Sequence, residues 1–226
     1  MEQTEIAELL GVNHATVSQW MRKFNLQTDV GRYARNQPDL EPSKDLFYII
    51  GVVHGDGVIY QNSTNSWIIQ LQCTNKTFAD SFRRSLNKLG LHTRFYEFER
   101  NSSIYYQVRG YSKLLCEFIR DKEPKTLLTE AEYKNSFIRG IYESDGSISI
   151  YRKDSPRLSV VWSSDIQVVR LIESLLIEMG YEFSRYSREN TGFTDEEAYE
   201  VRLTGGKSAV KRFFDEVNPV VKRWDK

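Results

Sequence analysis

Two stretches decide the fold: Ile49-Ile-Gly-Val-Val-His-Gly-Asp-Gly57 and Ile138-Arg-Gly-Ile-Tyr-Glu-Ser-Asp-Gly146. Each starts as an apolar helix and stops at a small residue followed by Asp-Gly. Gly51 and Gly55 are four residues apart, as are Gly140 and Ser144, so each helix carries two small residues on one face. Glycine inside a helix costs roughly 1 kcal/mol relative to alanine. Its use at matching places points to two helix backbones in close approach, by the packing logic of small-xxx-small faces. Helices crossing at these glycines bring Asp56 and Asp145 to neighbouring positions at their C-terminal ends.

That placement has an electrostatic consequence. A helix C-terminus carries roughly half a negative charge, and two adjacent carboxylates repel further. A divalent cation with oxygen ligands, Mg²⁺ first among them, relieves both penalties. Carboxylates that hold Mg²⁺ against phosphate oxygens are the parts of metal-assisted phosphodiester hydrolysis. A single Asp-Gly after a helix is ordinary turn chemistry; two at matching places in a repeat are not.

Around these motifs the chain repeats itself. After the helix at 45–54, strands are expected at about 57–61 and 67–74, a helix at 75–89 closed by Gly90, strands at 93–100 and 103–109, and a helix near 111–120. The second half replays the order: helix 135–143, strands 147–152 and 157–163, helix 165–179 closed by Gly180, strands 182–188 and 199–204, helix 207–217. Asp56 and Asp145 are 89 apart and the two closing glycines 90 apart. The expected fold is therefore α+β, with two pseudo-symmetric αββαββα repeats at 45–130 and 131–226 related by a pseudo-two-fold axis. Residues 27–44, with Pro38 and Pro42, read as a linker. Residues 1–26 read as two short helices separated by Gly11, with Asn13 capping the second.

These motifs resemble those of the LAGLIDADG homing endonucleases in their single-chain, two-motif form, over roughly residues 45–226. The resemblance implies saddle-shaped antiparallel sheets laid in the major groove of double-stranded DNA with a long, weakly palindromic site. It implies catalytic metals held by Asp56 and Asp145, with Gly55 and Ser144 also at the metal site, and Gly51 and Gly140 at the helix interface. The family's earlier motif acid is matched by Glu143 but departs at His54. The family also places polar residues after the second strand and a lysine near each half's end. By position these are Asn75 and Asp165, with Thr74 and Ser164 as neighbouring alternatives, and Lys125 and Lys222.

Alternation along the strands separates a core face from an exposed one. In the first repeat the exposed face carries Ile68, Gln70, Gln72, Arg94, Tyr96, Arg100, Tyr105, Gln107 and Arg109. In the second it carries Ser147, Ser149, Tyr151, Arg157, Ser159, Tyr186, Arg188, Glu200 and Arg202. Arg, Gln, Ser and Tyr suit base-edge and phosphate contacts. The N-terminal pair resembles a helix-turn-helix, with Ala7 at the crossing, Val17 and Trp20 inward, and His14, Ala15, Thr16, Ser18, Gln19 and Arg22 offered to a groove.

Composition sets the limits. The chain has 226 residues, 31 Lys+Arg against 31 Asp+Glu, and 40 % hydrophobic residues, enough for a true core and against a disordered chain. Two cysteines, Cys73 and Cys116, exclude a disulfide framework or a Cys-rich zinc site. With no signal peptide or apolar span, a soluble intracellular protein is expected, working as a monomer away from membranes. The zero net charge alone argues against a nucleic-acid binder. Segregation of Glu173, Glu178, Asp195, Glu196 and Glu197 onto helices and a loop, with Arg on strands, removes the objection, and non-specific DNA affinity is expected to be modest. The leading reading is a Mg²⁺-dependent, site-specific DNA endonuclease. A non-catalytic DNA-binding regulator and an RNA maturase are the alternatives on the same scaffold.

Overall fold

The structure, a computed structural model, describes residues 3–24, 37–63, 66–151, 155–188 and 197–224. Two antiparallel four-stranded sheets form, one per repeat. The first contains β1 (Val58–Ser63), β2 (Ser66–Cys73), β3 (Thr93–Arg100) and β4 (Ser103–Tyr111), in spatial order β1-β2-β4-β3. The second contains β5 (Ser147–Tyr151), β6 (Ser155–Ser163), β7 (Phe183–Arg188) and β8 (Ala198–Leu203), in the corresponding order β5-β6-β8-β7. The α+β class and the twofold repeat are as the sequence indicated.

Two helices lie between the sheets and pack directly on each other: α3 (Lys44–His54) and α7 (Ala131–Asp145). Each sheet is backed by further helices, α4 (Lys76–Lys88) and α5 (Lys113–Asp121) in the first repeat, and α8 (Ile166–Glu178) and α9 (Gly206–Val217) in the second. A four-residue α6 (Pro124–Leu127), absent from the sequence reading, joins the repeats. Period-2 burial makes each sheet one-sided. Ile69, Leu71 and Val108 face inward against Phe78, Phe82 and Leu86, while Leu158, Val161 and Val201 do the same beside Val169, Ile172 and Leu176. All belong to one core that runs through both repeats and the α3–α7 pair.

Local chemistry sets the element ends. Ser43 accepts from the Leu46 N–H and Ser112 from the Leu115 N–H, satisfying helix N-terminal donors. Gly90 and Gly180 close α4 and α8 in the left-handed region, at φ 85° and 69°. The register of β6 on β8 shifts between Ser159 and Val161, so that Val160 and Val161 are both buried. The extra residue brings Trp162 opposite Glu200, on the face that Gln72 and Gln107 occupy in the first repeat.

The N-terminal segment is a helical hairpin, α1 (Gln3–Leu10) and α2 (His14–Lys23). Gly11 turns it at φ 61°, the Asn13 carboxamide accepts from the Ala15 N–H, and Ala7 and Val17 are buried. Trp20, expected to point inward, is 40 % exposed together with Leu9, Leu10 and Phe24. Two short helices enclose too little volume for an indole as well as Val17. Most of the expected linker, residues 27–36, lies outside the described residues. Among the described residues no helix is long and apolar enough to cross a membrane.

Candidate active site and nucleic-acid face

The α3–α7 crossing rests on the two small-residue pairs. A methyl group on Gly140 would stand 2.5 Å from the Tyr48 carbonyl oxygen and 2.6 Å from the Val52 amide nitrogen, and one on Gly51 would stand 3.2 Å from the Gly140 Cα. These neighbours are backbone and cannot move aside, so glycine is required at both positions. One turn later Gly55 lies against Ser144, whose hydroxyl donates back to the Gly140 carbonyl at 3.0 Å. Gly55 also lies close to the Asp145 carboxylate, so the helices deliver both aspartates to one place at their C-terminal ends.

Burial pushes both carboxyls up. For Asp145 the pKa reaches about 7, through burial first and the Asp56 charge second, with Lys222 opposing. Asp56 is raised by burial, again opposed by Lys222. The Lys222 ammonium donates to the Ser144 carbonyl at 2.6 Å, and its pKa is lowered by burial against the pull of Asp56, Asp145 and Glu143. Lys222 adopts φ 55°, and its own carbonyl accepts from the Tyr142 hydroxyl at 2.7 Å, which fixes the segment carrying the ammonium. Cys73, at the end of β2, is near enough for the Asp56 charge to help burial raise its thiol pKa.

Two of the remaining proposed catalytic positions cap helices. Asn75 is the N-cap of α4, accepting from the Phe78 N–H at 3.1 Å, and Asp165 caps α8, accepting from the Gln167 N–H at 2.8 Å. Lys125 is not brought to the aspartates. It lines a separate cleft of about 360 Å³ with His54, Glu123, Asp165 and Arg170. Val221, just before Lys222, is buried and anchors that segment. Lys222 is the lysine whose charge acts on both aspartates.

The sequence reading missed the network around the motif acids. Glu143, 1 % exposed, accepts from the Tyr48 hydroxyl at 2.6 Å, from Arg139 Nε at 2.9 Å and from the Val220 N–H at 2.6 Å. Its counterpart His54 packs edge-on against Phe137 at 5.9 Å, its Nε2 buried and without a hydrogen-bond partner among the described residues. Burial holds the imidazole pKa low. Tyr48 and Phe137 are themselves 89 apart, so the two departures are coupled: the half with the acid meets a hydroxyl across the interface, and the half with the imidazole meets a bare ring. That pairing of positions was the available signal.

On the outer faces, backbone register aligns Gln70, Arg109 and Arg94 across the first sheet and Ser159, Arg202 and Ser184 across the second. Gln72, Arg94, Tyr96 and Arg100 are exposed, and Gln70, Tyr105, Arg109, Arg157 and Arg202 partly so. Four expected outer-face residues are buried: Ile68, Gln107 (8 %), Ser159 (5 %) and Glu200 (5 %). Gln107 Nε2 donates to Gln72 Oε1 at 3.0 Å, and the Ser159 hydroxyl donates to Glu200, so both are spent on neighbours within the sheet. Ser149 and Tyr186 are exposed, as is Gln19 in α2, with Thr16 and Ser18 partly covered. The side chains of Arg22, Tyr151 and Arg188 lie outside what is described.

The sequence profile of the LAGLIDADG-like domain matches residues 43–121 and 132–218, one match for each repeat. The chain belongs to this LAGLIDADG-like family. Among its relatives, the uncharacterized protein MJ0398 of Methanocaldococcus jannaschii is 29 % identical over 66 % of this chain and 54 % of its own length. MJ0314 of the same organism is 27 % identical over 69 % of this chain and 62 % of its own length. The chain thus spans little more than half of each relative. Among solved structures, the homing endonuclease I-DmoI in complex with DNA and Ca superposes with a TM-score of 0.54 at 13 % identity, over 76 % of this chain and 86 % of that one. I-WcaI bound to its DNA recognition sequence gives 0.53 at 16 %, over 78 % and 81 %. Full-length DUF199/WhiA from Thermatoga maritima gives 0.58 at 12 %, over 81 % and 59 %. At these identities the likeness is one of fold.

Proposed function

We propose that this LAGLIDADG-like protein is a site-specific, divalent-metal-dependent DNA endonuclease working as a monomer on a long, partly asymmetric site. The observation that carries the reading is the pair of carboxylates, Asp56 and Asp145, held at crossing helix ends with raised pKa values and one ammonium beside them. A fold whose core needs no carboxylate there keeps two in mutual repulsion, at helix ends that disfavour them. The donor set, hard oxygens from Asp56 and Asp145, fits a divalent cation such as Mg²⁺. Bound there, such an ion supplies Lewis-acid polarisation of a phosphoryl oxygen and acidifies water.

The chain's own residues do the rest. Lys222 offsets charge that develops near the carboxylates, with an ammonium already tied to the Ser144 carbonyl. This ammonium comes from the second repeat and acts on both carboxyls, so the two strands of the duplex meet unequal electrostatics. Strand faces bearing Gln72, Arg94, Tyr96, Arg100 and Arg109 position and read the DNA. The helical hairpin at 3–24 adds a second DNA contact through residues 27–44.

The test is incubation of a randomised DNA-site library with wild type and Asp56→Asn, in Mg²⁺ or Ca²⁺. Cleavage in Mg²⁺ that the substitution abolishes supports the proposal. Binding without cleavage supports the regulator, and preference for structured RNA the maturase.

A further inference from the structure

We propose that Arg109 determines specificity for a guanine in one half of the DNA site, and that its counterpart Arg202 is kept from doing the same by Glu200. The inference rests on the DNA-binding part of the function above and not on cleavage.

The two arginines hold equivalent places. Both lie on the outer face, paired with Gln70 and Ser159 on the neighbouring strand, and they are 93 residues apart, as are Gln107 and Glu200. Each guanidinium stacks on a tyrosine of the adjoining strand: Arg109 over Tyr96 at 5.5 Å, Arg202 over Tyr186 at 4.4 Å. What differs is the hydrogen bonding. Arg109 donates only Nε, to Gln70 Oε1 at 2.8 Å, and that oxygen also accepts from the Tyr60 hydroxyl at 3.1 Å. Both acceptor sites of the amide oxygen are thereby filled. The two terminal nitrogens of Arg109 have no hydrogen-bond partner among the described residues.

A planar guanidinium held by a stacked ring on its face and an amide on its inner edge is pre-ordered, and its free end presents two parallel N–H donors. That is the pattern matched by the O6 and N7 acceptors of guanine in the major groove. The amide is neutral, so the full positive charge is retained. Gln70 and Tyr96 are positioning residues for it.

Arg202 is placed alike and engaged differently. Nε and Nη2 both bond the Glu200 carboxylate, at 3.2 and 2.6 Å. Glu200 is itself buried and receives the Ser159 hydroxyl as well. A bidentate carboxylate consumes the donor edge and cancels the charge. In the first repeat the same place is held by Gln107, which turns instead to Gln72. One acid thus makes the two faces unequal readers.

The experiment selects full-length protein against a randomised duplex library in Ca²⁺, reading base preference at every position, for wild type, Arg109→Lys, Gln70→Ala and Glu200→Gln. Wild type is expected to select guanine at one position in one half-site. Arg109→Lys should lower that preference about 5- to 100-fold and leave the other positions intact, which also reports a folded protein. Gln70→Ala should weaken the same position only. Glu200→Gln should gain a guanine preference at the pseudo-symmetric position of the other half-site, an outcome that misfolding cannot produce. An unchanged pattern in Arg109→Lys, or no new preference in Glu200→Gln, overturns the inference. Absence of any sequence selection overturns the DNA-binding reading with it, whereas selective binding without cleavage in Mg²⁺ overturns only the nuclease reading.

Discussion

Replacing Asp145 by asparagine should make the metal-free protein more stable at alkaline pH while removing its activity. The carboxyl titrates near 7 in the folded chain, against an ordinary value of 3.8. A carboxyl raised in this way binds a proton in the folded state where the unfolded state has lost it, so stability falls as pH rises from about 4 to 7 and stays low above that window. Roughly three pKa units at ~1.4 kcal/mol each set a ceiling of ~4 kcal/mol. Partial solvent access and screening bring a realistic figure to about 2 kcal/mol. For a chain of this size that is a rise of roughly 4–8 °C in Tm at pH 8. At pH 4 both forms are neutral and the gain should vanish. Thermal unfolding in EDTA across pH 4–8 measures it. An Asp145→Asn protein no more stable than wild type at pH 8, or a gap that does not close on acidification, refutes the reasoning. Added Mg²⁺ should stabilise the wild type above pH 7 by ~2.7 kcal/mol at a hundred times Kd, seen as a higher Tm, and stabilise the variant much less.

Gly140→Ala should cost about 3 kcal/mol, because the new methyl meets the backbone of Tyr48 and Val52 at 2.5–2.6 Å; chemical denaturation reads the loss. Glu143→Ala should cost ~3–5 kcal/mol by leaving Arg139 and the Tyr48 hydroxyl without their buried carboxylate, seen as a lowered denaturant midpoint. Lys222→Met should slow cleavage of one strand far more than the other, accumulating nicked circles from a supercoiled substrate; equal slowing of both strands contradicts the single-ammonium asymmetry. Deleting residues 1–40 should weaken DNA binding without abolishing cleavage, and a deletion protein that binds equally well dismisses a DNA role for the hairpin.

Most of the architecture was legible because period-2 and period-3.6 patterns recur twice at a nearly constant offset, so each half corroborates the other. The aspartate pair was legible for the same reason: Gly-x-x-x-small ahead of Asp-Gly has few uses other than a helix crossing. What the sequence withheld were side-chain partners. Nothing local to Lys125 shows that the chain turns into α6 and carries it to the His54 cleft. Gln107 and Ser159 sit at correct outward positions in the alternation, yet larger neighbours and hydrogen bonds to Gln72 and Glu200 cover them. Alternation fixes which way a side chain points, and burial depends on what stands beside it. The bulge after Ser159 is likewise set by pairing with β8, which no pattern within β6 records.

The coupled exchange of Tyr48 for Phe137 and His54 for Glu143 has a consequence for symmetry. In a dimer of identical subunits every substitution is made twice, and a residue on the axis must tolerate a copy of its own surroundings. Two copies of the second half would set Glu143 against Phe137, burying a carboxylate with no hydroxyl to receive it. Two copies of the first would set His54 against Tyr48 and leave the aspartates without Lys222. Within one chain the halves are free of self-complementarity, and these two differ at positions where neither could serve as its own partner.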